Sequence, residues 1–275
     1  MTIVALTARG GAAVVDAEGL APDRLAGSER EIARTLVRVG ARKLELGELF
    51  SVSARAGDGD AGRELRVEPG GTLLDGLGAG MREGTLVVEG DAGDRVGAGM
   101  AGGEIRVHGR AGDWAGAGMA GGVLRVEGDA GFRAGGALAG APRGMTGGVL
   151  LVRGSVGDEV GAVMRRGIVA AGGSAGARAG FHAIAGTVLV LGDVGATPAM
   201  ATKRGSVVVF GAAEPPPGFR YACDYDPVIL RLYVRHLAGS LGFPIPQRFF
   251  GGVYRRFVGD FSQLGKGEIL LWRQT

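Results

Sequence analysis

A glycine-rich repeat of 19 residues constrains this chain more than any other feature of its sequence. The segments that begin at Thr85, Glu104 and Val123 each start with a short apolar run and continue with glycines at fixed positions. A fixed short period means that one small structural unit is stacked on copies of itself. Nineteen residues at about 3.3 Å each give roughly 60 Å of chain, which is enough for one flattened coil. The sequence therefore predicts a mainly β fold, a right-handed parallel β-helix (solenoid) with 19-residue coils.

The repeat can be followed through eight coils, and the coil at Val123 carries a seven-residue insertion. The coils begin at Glu64, Thr85, Glu104, Val123, Val149, Ile168, Thr187 and Ser206. Their opening runs of Val, Ile and Leu predict short strands. The glycines follow the pattern G-x-x-G-x-x-x-G, in which glycine permits positive φ or a close approach of neighbouring backbones. We predict a structural role for these repeat glycines: Gly90, Gly93, Gly97, Gly109, Gly112, Gly116, Gly128, Gly131, Gly135, Gly154, Gly157, Gly161, Gly173, Gly176 and Gly180.

The sequence around the repeat predicts three domains: an N-terminal cap (1–63), the β-helix repeat domain (64–213) and a C-terminal extension (214–275). We expect the cap to be a small α/β unit, with a strand at 2–6 and a helix that starts at a capping box formed by Ser28 and Glu31. The extension follows a stiff proline segment and is predicted to hold a helix and many aromatic residues. We expect part of it to contact another subunit.

Composition and charge exclude several classes of protein. The single cysteine, Cys223, cannot form an internal disulfide and fits a reducing cytosol. We find no secretory signal and no apolar run of about 18 residues, and so expect a cytoplasmic protein without a membrane span. Residues 218–275 hold 8 Lys+Arg against 4 Asp+Glu, whereas residues 61–217 hold 15 of each. Because the repeat itself is balanced in charge, we expect no nucleic-acid partner.

The residues capable of chemistry are few, and we predict no catalytic residue and no metal site. His108, His182 and His236 lie in different contexts, and the chain has no H-x-H, C-x-x-C or H-E-x-x-H motif. Asp94 and Asp113 occupy the same coil position, as does Asp158. Such carboxylates either pair for acid–base work or stabilise their own turns, and we favour the second interpretation. The G-x-G-x-x-G match at 97–102 recurs one period later and lacks the following helix of a dinucleotide site.

The coils resemble those of two known families. The G-x-x-G-x-x-x-G pattern is similar to the GXGXG repeat domain at the C-terminus of the glutamate synthase large subunit. The resemblance to the C subunit of formylmethanofuran dehydrogenase extends over nearly the whole chain, including a short region before the coils and a tail like RFFGGVYRRFVGD at 248–260. The chain has no synthase domains before the repeat, which favours the second family.

Within that family the resemblance implies one of two complexes. Archaeal forms work with molybdenum or tungsten subunits, whereas methylotrophic bacteria have a related formyltransferase/hydrolase complex. Only 3 of the 31 basic residues are lysines, a bias typical of GC-rich bacteria, so we favour the bacterial complex. In that complex a formyl group moves from formyl-tetrahydromethanopterin to a methanofuran analogue and is released as formate, a step of formaldehyde oxidation in one-carbon metabolism.

The resemblance implies that this chain is a non-catalytic scaffold subunit. Its partners would be an amidohydrolase-like metal subunit, a formyltransferase and a dehydrogenase-like B subunit. We expect the methanofuran analogue and the metal ions in those partners, and no cofactor in this chain. The carrier bears polyglutamate, so the basic tail is a candidate for binding it, through Arg231, Arg235, Arg248, Arg255 and Arg256.

Three alternatives stay open. The first is the C subunit of a molybdenum or tungsten formylmethanofuran dehydrogenase, and the second is an independent glutamate synthase-like repeat domain. The third is a freestanding enzyme or nucleotide-binding protein that uses the repeat glycines.

Overall fold

The computed structural model describes residues 2–10, 14–56 and 62–274, and their regular structure is mainly β. Residues 57–61 of the predicted cap lie outside the described residues. The elements in chain order are β1 (Thr2–Ala8), β2 (Val14–Asp16), α1 (Glu29–Ala33), β3 (Leu36–Val39), β4 (Arg42–Glu45), α2 (Leu46–Leu49), β5 (Phe50–Ala56), β6 (Arg63–Glu68), β7 (Leu73–Asp75), β8 (Thr85–Val88), β9 (Glu104–Val107), β10 (Val123–Val126), β11 (Thr146–Val152), β12 (Arg166–Ala171), β13 (Thr187–Val190), β14 (Ser206–Val209), β15 (Arg220–Tyr225), α3 (Val228–Arg235), β16 (Val253–Gly259) and β17 (Gly267–Arg273).

Thirteen of the strands form one long sheet in which most neighbours are parallel. Its order is β15-β16-β17-β14-β13-β12-β11-β10-β9-β8-β6-β1-β5. Corresponding residues of successive repeat units lie side by side, so Leu86 is opposite Ile105 and Ile105 is opposite Leu124. The seven-residue insertion does not disturb this register, because Leu124 is opposite Leu150 in the next unit. Residues one repeat apart in the sequence are therefore paired in neighbouring strands of the sheet.

Side chains alternate between the two faces of this sheet, as they must along an extended backbone. The second and fourth residues of each short strand, such as Leu86 and Val88, point inward and are fully buried. They pack with Val96 and Met100 from the glycine-rich segments in one continuous core. Burial of each such side chain contributes about 1.5–3 kcal/mol to folding.

The prediction of a right-handed parallel β-helix is wrong. The regular structure is the large sheet together with a separate four-stranded sheet of order β4-β3-β2-β7. Between the strands, neighbouring units are joined by isolated bridges, such as the one between Ala111 and Ala130, and by backbone hydrogen bonds within turns, such as the one from the Gly97 N–H to the Leu77 carbonyl. Glycines with positive φ, including Gly97 and Gly116, bend these segments too tightly for extended strands. In the described residues, successive repeat units therefore form one sheet, and on the other side of the repeat only β7 is a strand, which pairs with β2 of the N-terminal region.

The N-terminal region contributes strands to both sheets. β1 pairs in parallel with β6 and antiparallel with β5, so β5 forms one edge of the large sheet. The predicted capping box is confirmed, because the Ser28 hydroxyl accepts from the Glu31 N–H while the Glu31 carboxylate accepts from the Ser28 N–H. The helix ends at Ala33, and the residues after it form β3, since Val37 and Val39 are β-branched and favour a strand.

The C-terminal region adds three strands that the sequence analysis did not predict. β17 pairs in parallel with β14, and β16 and β15 follow with antiparallel pairing, so β15 is the second edge of the sheet. α3 continues into a π-helical turn (His236–Ser240), and a 3-10 turn (Gln247–Phe250) follows. Buried Leu230 and Val234 of α3 form a second core with Leu189 and Val208 on the outer face of the sheet. The tail therefore covers the outer face of β11–β14.

Candidate functional site

The repeated aspartates connect successive repeat units. Oδ1 of Asp94 accepts a hydrogen bond from the backbone N–H of Asp113 at 2.8 Å, and Oδ1 of Asp113 accepts from the N–H of Phe132 at 2.7 Å. Asp158 binds the N–H of Ala177 in the same way. These carboxylates satisfy backbone donors of the next unit, so they neither pair with one another nor bond their own turns as the sequence analysis expected. A second ladder of the same kind runs through Asp91, Asp129, Ser155, Ser174 and Asp193.

The repeat glycines occupy two kinds of position. The third glycine of the pattern has positive φ, 66° at Gly97 and 64° at Gly116. The second glycine, as in Gly112, does not, but a Cβ atom there would overlap the carboxylate of Asp94. The third glycine is needed because its backbone has positive φ, and the second glycine is needed because a side chain there would collide with an aspartate of the ladder.

The histidines and the cysteine lie on different elements. Nδ1 of His108 is 2.7 Å from a carboxylate oxygen of Glu89, and exposed His182 packs edge-to-face against its neighbour Phe181. His236 is exposed at the start of the π-helical turn, and Cys223 is half-buried on the edge strand β15. In the part of the chain that the structure describes, no group of three or more His, Cys, Asp or Glu side chains could hold a metal ion.

Three of the five predicted carrier-binding arginines form ion pairs. Arg231 pairs with Asp226, Arg255 with Asp224 at 3.2 Å and Arg256 with Glu268 at 2.9 Å. Because Arg255 and Arg256 are adjacent in β16, they point to opposite faces of the sheet. The five guanidinium groups are therefore not gathered into one site.

The other two arginines of this set are exposed and lie on two elements that pack against each other. Arg235 is in the last turn of α3, and Arg248 is in the 3-10 turn, which packs against α3. Among the described residues neither has a carboxylate partner, and the Arg248 guanidinium stacks 4.8 Å from the centre of the Phe249 ring. Of the five predicted carrier-binding arginines, these two are the ones without a carboxylate partner among the described residues.

The outer face of the large sheet is apolar under the tail and charged on β6, β9 and β10. On the charged part, Glu104 accepts from Arg106 and from Arg125, each at 2.7 Å, and Arg125 also donates to the carbonyl of Leu241 in the tail. Burial alone would raise the pKa of Glu104, but the hydrogen bonds from both arginines outweigh it and hold that pKa below its usual value. The charges on this surface largely neutralise one another.

A cleft of about 320 Å³ separates the N-terminal region from the first repeat units and is lined by Glu18, Arg24, Arg95 and Leu138. Arg24 donates to the carbonyls of Glu18 and Gly80, at 3.3 and 3.2 Å, and Arg95 lies 3.8 Å from Asp75. The guanidinium groups here already have protein partners. The sequence analysis missed this cleft because its lining residues are far apart in the chain and form no motif.

No protein-family model matches the chain, and no curated protein matches it. Among the described residues, no helix combines the length and the hydrophobicity that crossing a bilayer requires. A solved structure does match nearly the whole chain: the X-ray crystal structure of the formyltransferase/hydrolase complex (FhcABCD) from Methylorubrum extorquens in complex with methylofuran. The sequence identity is 36%, the TM-score is 0.88, and the match covers 98% of this chain and 99% of the other. The chain therefore belongs to the same family as the matched subunit of that formyltransferase/hydrolase complex.

Proposed function

We propose that this chain is the scaffold subunit, known in this family as the C subunit, of a cytoplasmic formyltransferase/hydrolase complex. The observation that carries the proposal is the end-to-end match, at 36% identity, to a subunit of such a complex crystallised with methylofuran. In the proposed complex a formyl group passes from formyl-tetrahydromethanopterin to a methanofuran analogue and leaves as formate. The reacting groups belong to an amidohydrolase-like metal subunit and a formyltransferase subunit, and the assembly also holds a dehydrogenase-like B subunit.

The use that the chain makes of its polar groups supports a scaffold role. Asp94, Asp113 and Asp158 hold backbone N–H groups of the following units. Buried Glu159 lies between two arginines, 2.6 Å from Arg133 and 2.7 Å from Arg178. Hydrogen bonds of this kind keep successive units at fixed spacing, and a rigid surface is what the positioning of catalytic subunits requires.

Contact with the acidic carrier remains part of the proposal, and it falls on Arg235 and Arg248. Because the other three arginines are neutralised by carboxylates, reversing their charge would break ion pairs within the chain. In the assembled complex, Arg235→Glu with Arg248→Glu is expected to raise the KM for the carrier and leave kcat unchanged. An unchanged KM would remove carrier binding from the proposal and leave the scaffold role standing.

Co-purification tests the scaffold role. The chain, tagged and expressed with the other subunits of its own complex, is expected to bring down a hydrolase subunit and a formyltransferase subunit. The complex should release formate from the formyl carrier, whereas the isolated chain should not. Formate release by the isolated chain, or a chain that purifies without partners, contradicts the proposal.

Alanine variants in the assembled complex test the non-catalytic role separately. His108→Ala, His182→Ala, His236→Ala and Cys223→Ala are each expected to leave kcat within about twofold of the parent, because loss of a general acid or base typically costs 10²–10⁴-fold. A loss of about 100-fold at any of them, with the complex still assembled, would place a catalytic group in this chain.

A further inference from the structure

We propose that one corner of the repeat docks a carboxylate-rich surface of another subunit of the complex. This basic corner consists of Arg165, Arg166, Lys203, Arg204 and Lys266. The inference rests on the proposed function, because it requires a partner subunit. It concerns a different surface from the five tail arginines discussed above.

The repeat brings two dibasic pairs together. Arg165–Arg166 and Lys203–Arg204 are 38 residues apart, which is two repeat lengths of 19. The sheet register aligns Ile168, Thr187 and Ser206, so the pairs occupy equivalent positions where β12 and β14 begin. With neighbouring strands about 4.8 Å apart, the two pairs are separated by about 10 Å. The residues between them, Ile184 and Ala185, carry no charge.

The C-terminal strand extends the same row. β17 pairs in parallel with β14, and Glu268 lies opposite Ser206. Gly267, the first residue of β17, packs against Thr202. Lys266 therefore lies at the same end of the strands as Lys203 and Arg204, although they are far apart in the sequence. The basic corner thus extends across the N-terminal ends of four adjacent strands, β12, β13, β14 and β17.

The charges of the basic corner are not neutralised within the chain. All five cations are exposed, and among the described residues none has a carboxylate partner. Two carboxylates lie nearby, but both have other partners. Asp260 is buried and accepts hydrogen bonds from the N–H groups of Ala201 and Ser262. Glu268 forms an ion pair with Arg256 at 2.9 Å. Elsewhere on the sheet, by contrast, arginines such as Arg106 and Arg125 pair with Glu104. Clustered like charges repel one another, and an acidic surface would relieve that repulsion.

Exposed apolar side chains adjoin the basic corner. Met200, Phe261 and Leu264 are 43%, 55% and 53% exposed. The bond from the Ala201 N–H to Asp260 holds the segment that carries Phe261 and Leu264 against the segment that carries Met200 and Lys203. Apolar side chains beside charged ones are typical of protein interfaces, where the apolar part is desolvated and the charged rim guides association. The breadth of the surface fits an extended protein face better than a single small anion.

Two double charge reversals test the docking. Arg165→Glu with Arg166→Glu, and Lys203→Glu with Arg204→Glu, are compared with Arg42→Glu and Lys43→Glu, an exposed dibasic pair on β4 at the other end of the chain. The measurement is binding of the full-length chain to the remaining subunits of its own complex, at several salt concentrations. Urea unfolding of each variant confirms that the fold is retained.

Each reversal at the basic corner is expected to slow association about tenfold or more at low salt and to weaken its salt dependence. The β4 control should bind like the parent, and Arg165→Lys with Arg166→Lys should keep most of the affinity. Parental binding by both reversed variants would overturn the docking proposal. If the parent chain itself binds no partner subunit, it is the proposed function that fails.

A penta-glutamate peptide distinguishes a small polyanion from a protein surface. If the reversed variants assemble like the parent and lose only peptide binding, the basic corner serves a small polyanion and the docking proposal is wrong. If they lose assembly, the docking proposal stands.

Discussion

The carboxylate of Asp94 accepts a hydrogen bond from the backbone N–H of Asp113, one repeat unit later, at 2.8 Å. The donor is a main-chain group, so the bond does not depend on the side chain of the donor residue. Phe132 and Ala177 supply the donor N–H elsewhere in the same ladder. The ladder therefore tolerates variation of the donor residue and depends on the side chain of the acceptor residue.

Removal of one acceptor from this ladder should destabilise the chain. Asp113→Ala leaves the Phe132 N–H without its side-chain acceptor and is expected to lower the free energy of unfolding by about 1–2 kcal/mol. Asp113→Asn keeps an oxygen in the same place and should cost less than half as much. Urea denaturation of both variants measures the difference. Equal losses would mean that the charge, rather than the acceptor, stabilises the ladder.

The glycine that accommodates the ladder should be sensitive to a single methyl group. A Cβ atom at Gly112 would overlap the Asp94 carboxylate and crowd its backbone, so Gly112→Ala is expected to cost about 2–4 kcal/mol. Gly239 in the tail has no neighbouring atom within contact distance of its Cβ position and serves as the control. Gly239→Ala should be neutral or slightly stabilising in thermal unfolding. Similar melting temperatures for the two variants would contradict the assigned close approach.

Attachment of the tail should depend on its buried aromatic residues. The Phe249 ring is buried, 4.5 Å from Phe210 and 4.9 Å from Trp272 between ring centres. Phe249→Ala is expected to lower stability by about 3–5 kcal/mol and to make the tail more sensitive to limited proteolysis. Phe261→Ala removes an exposed ring and should change stability by less than about 1 kcal/mol. A tail that stays protected in the Phe249 variant would show that other contacts hold it.

Stability should fall in acid partly because of Glu104. Its pKa in the folded chain is below the value of about 4.3 expected for an unfolded chain. The ionised form is therefore favoured by folding, and its contribution is present above about pH 4.3 and is lost as the pH falls through the folded pKa. Glu104→Gln removes this contribution, so its unfolding free energy should vary less between about pH 5 and pH 3 than that of the parent. Identical pH profiles would show that the ion pairs with Arg106 and Arg125 do not contribute.

Strand positions within the repeat followed from the sequence, whereas the fold class did not. The apolar runs at 86–88, 105–107 and 124–126 lie in β8, β9 and β10, because branched apolar side chains pack well on the buried surface of a sheet. The glycine-rich segments gave no comparable signal, since glycine is compatible with extended and bent backbone alike. The strands β15, β16 and β17 depend on pairing partners far away in the chain, which local sequence does not reveal.

The candidate sites show the same limit. The sequence analysis groups the tail arginines because they are close in sequence. Successive side chains of a strand point to opposite faces, however, so Arg255 and Arg256 lie on opposite faces of β16. The basic corner was missed for the opposite reason. Arg165 and Lys203 are far apart in sequence, and only the repeat register brings them to neighbouring positions. Applying the 19-residue period to charged residues as well as to glycines would have revealed the two dibasic pairs.

The distance between the two edges of the large sheet changes by one strand spacing for each repeat unit that is gained or lost. Each internal unit inserts one strand between the edges β5 and β15, so duplicating a unit would move the two ends apart by about 4.8 Å and leave both ends chemically intact. A neighbour in contact with one end would tolerate such a change, whereas an assembly that spans both ends would not. An assembly whose subunits contact both ends of the sheet would therefore keep the number of repeat units constant during evolution.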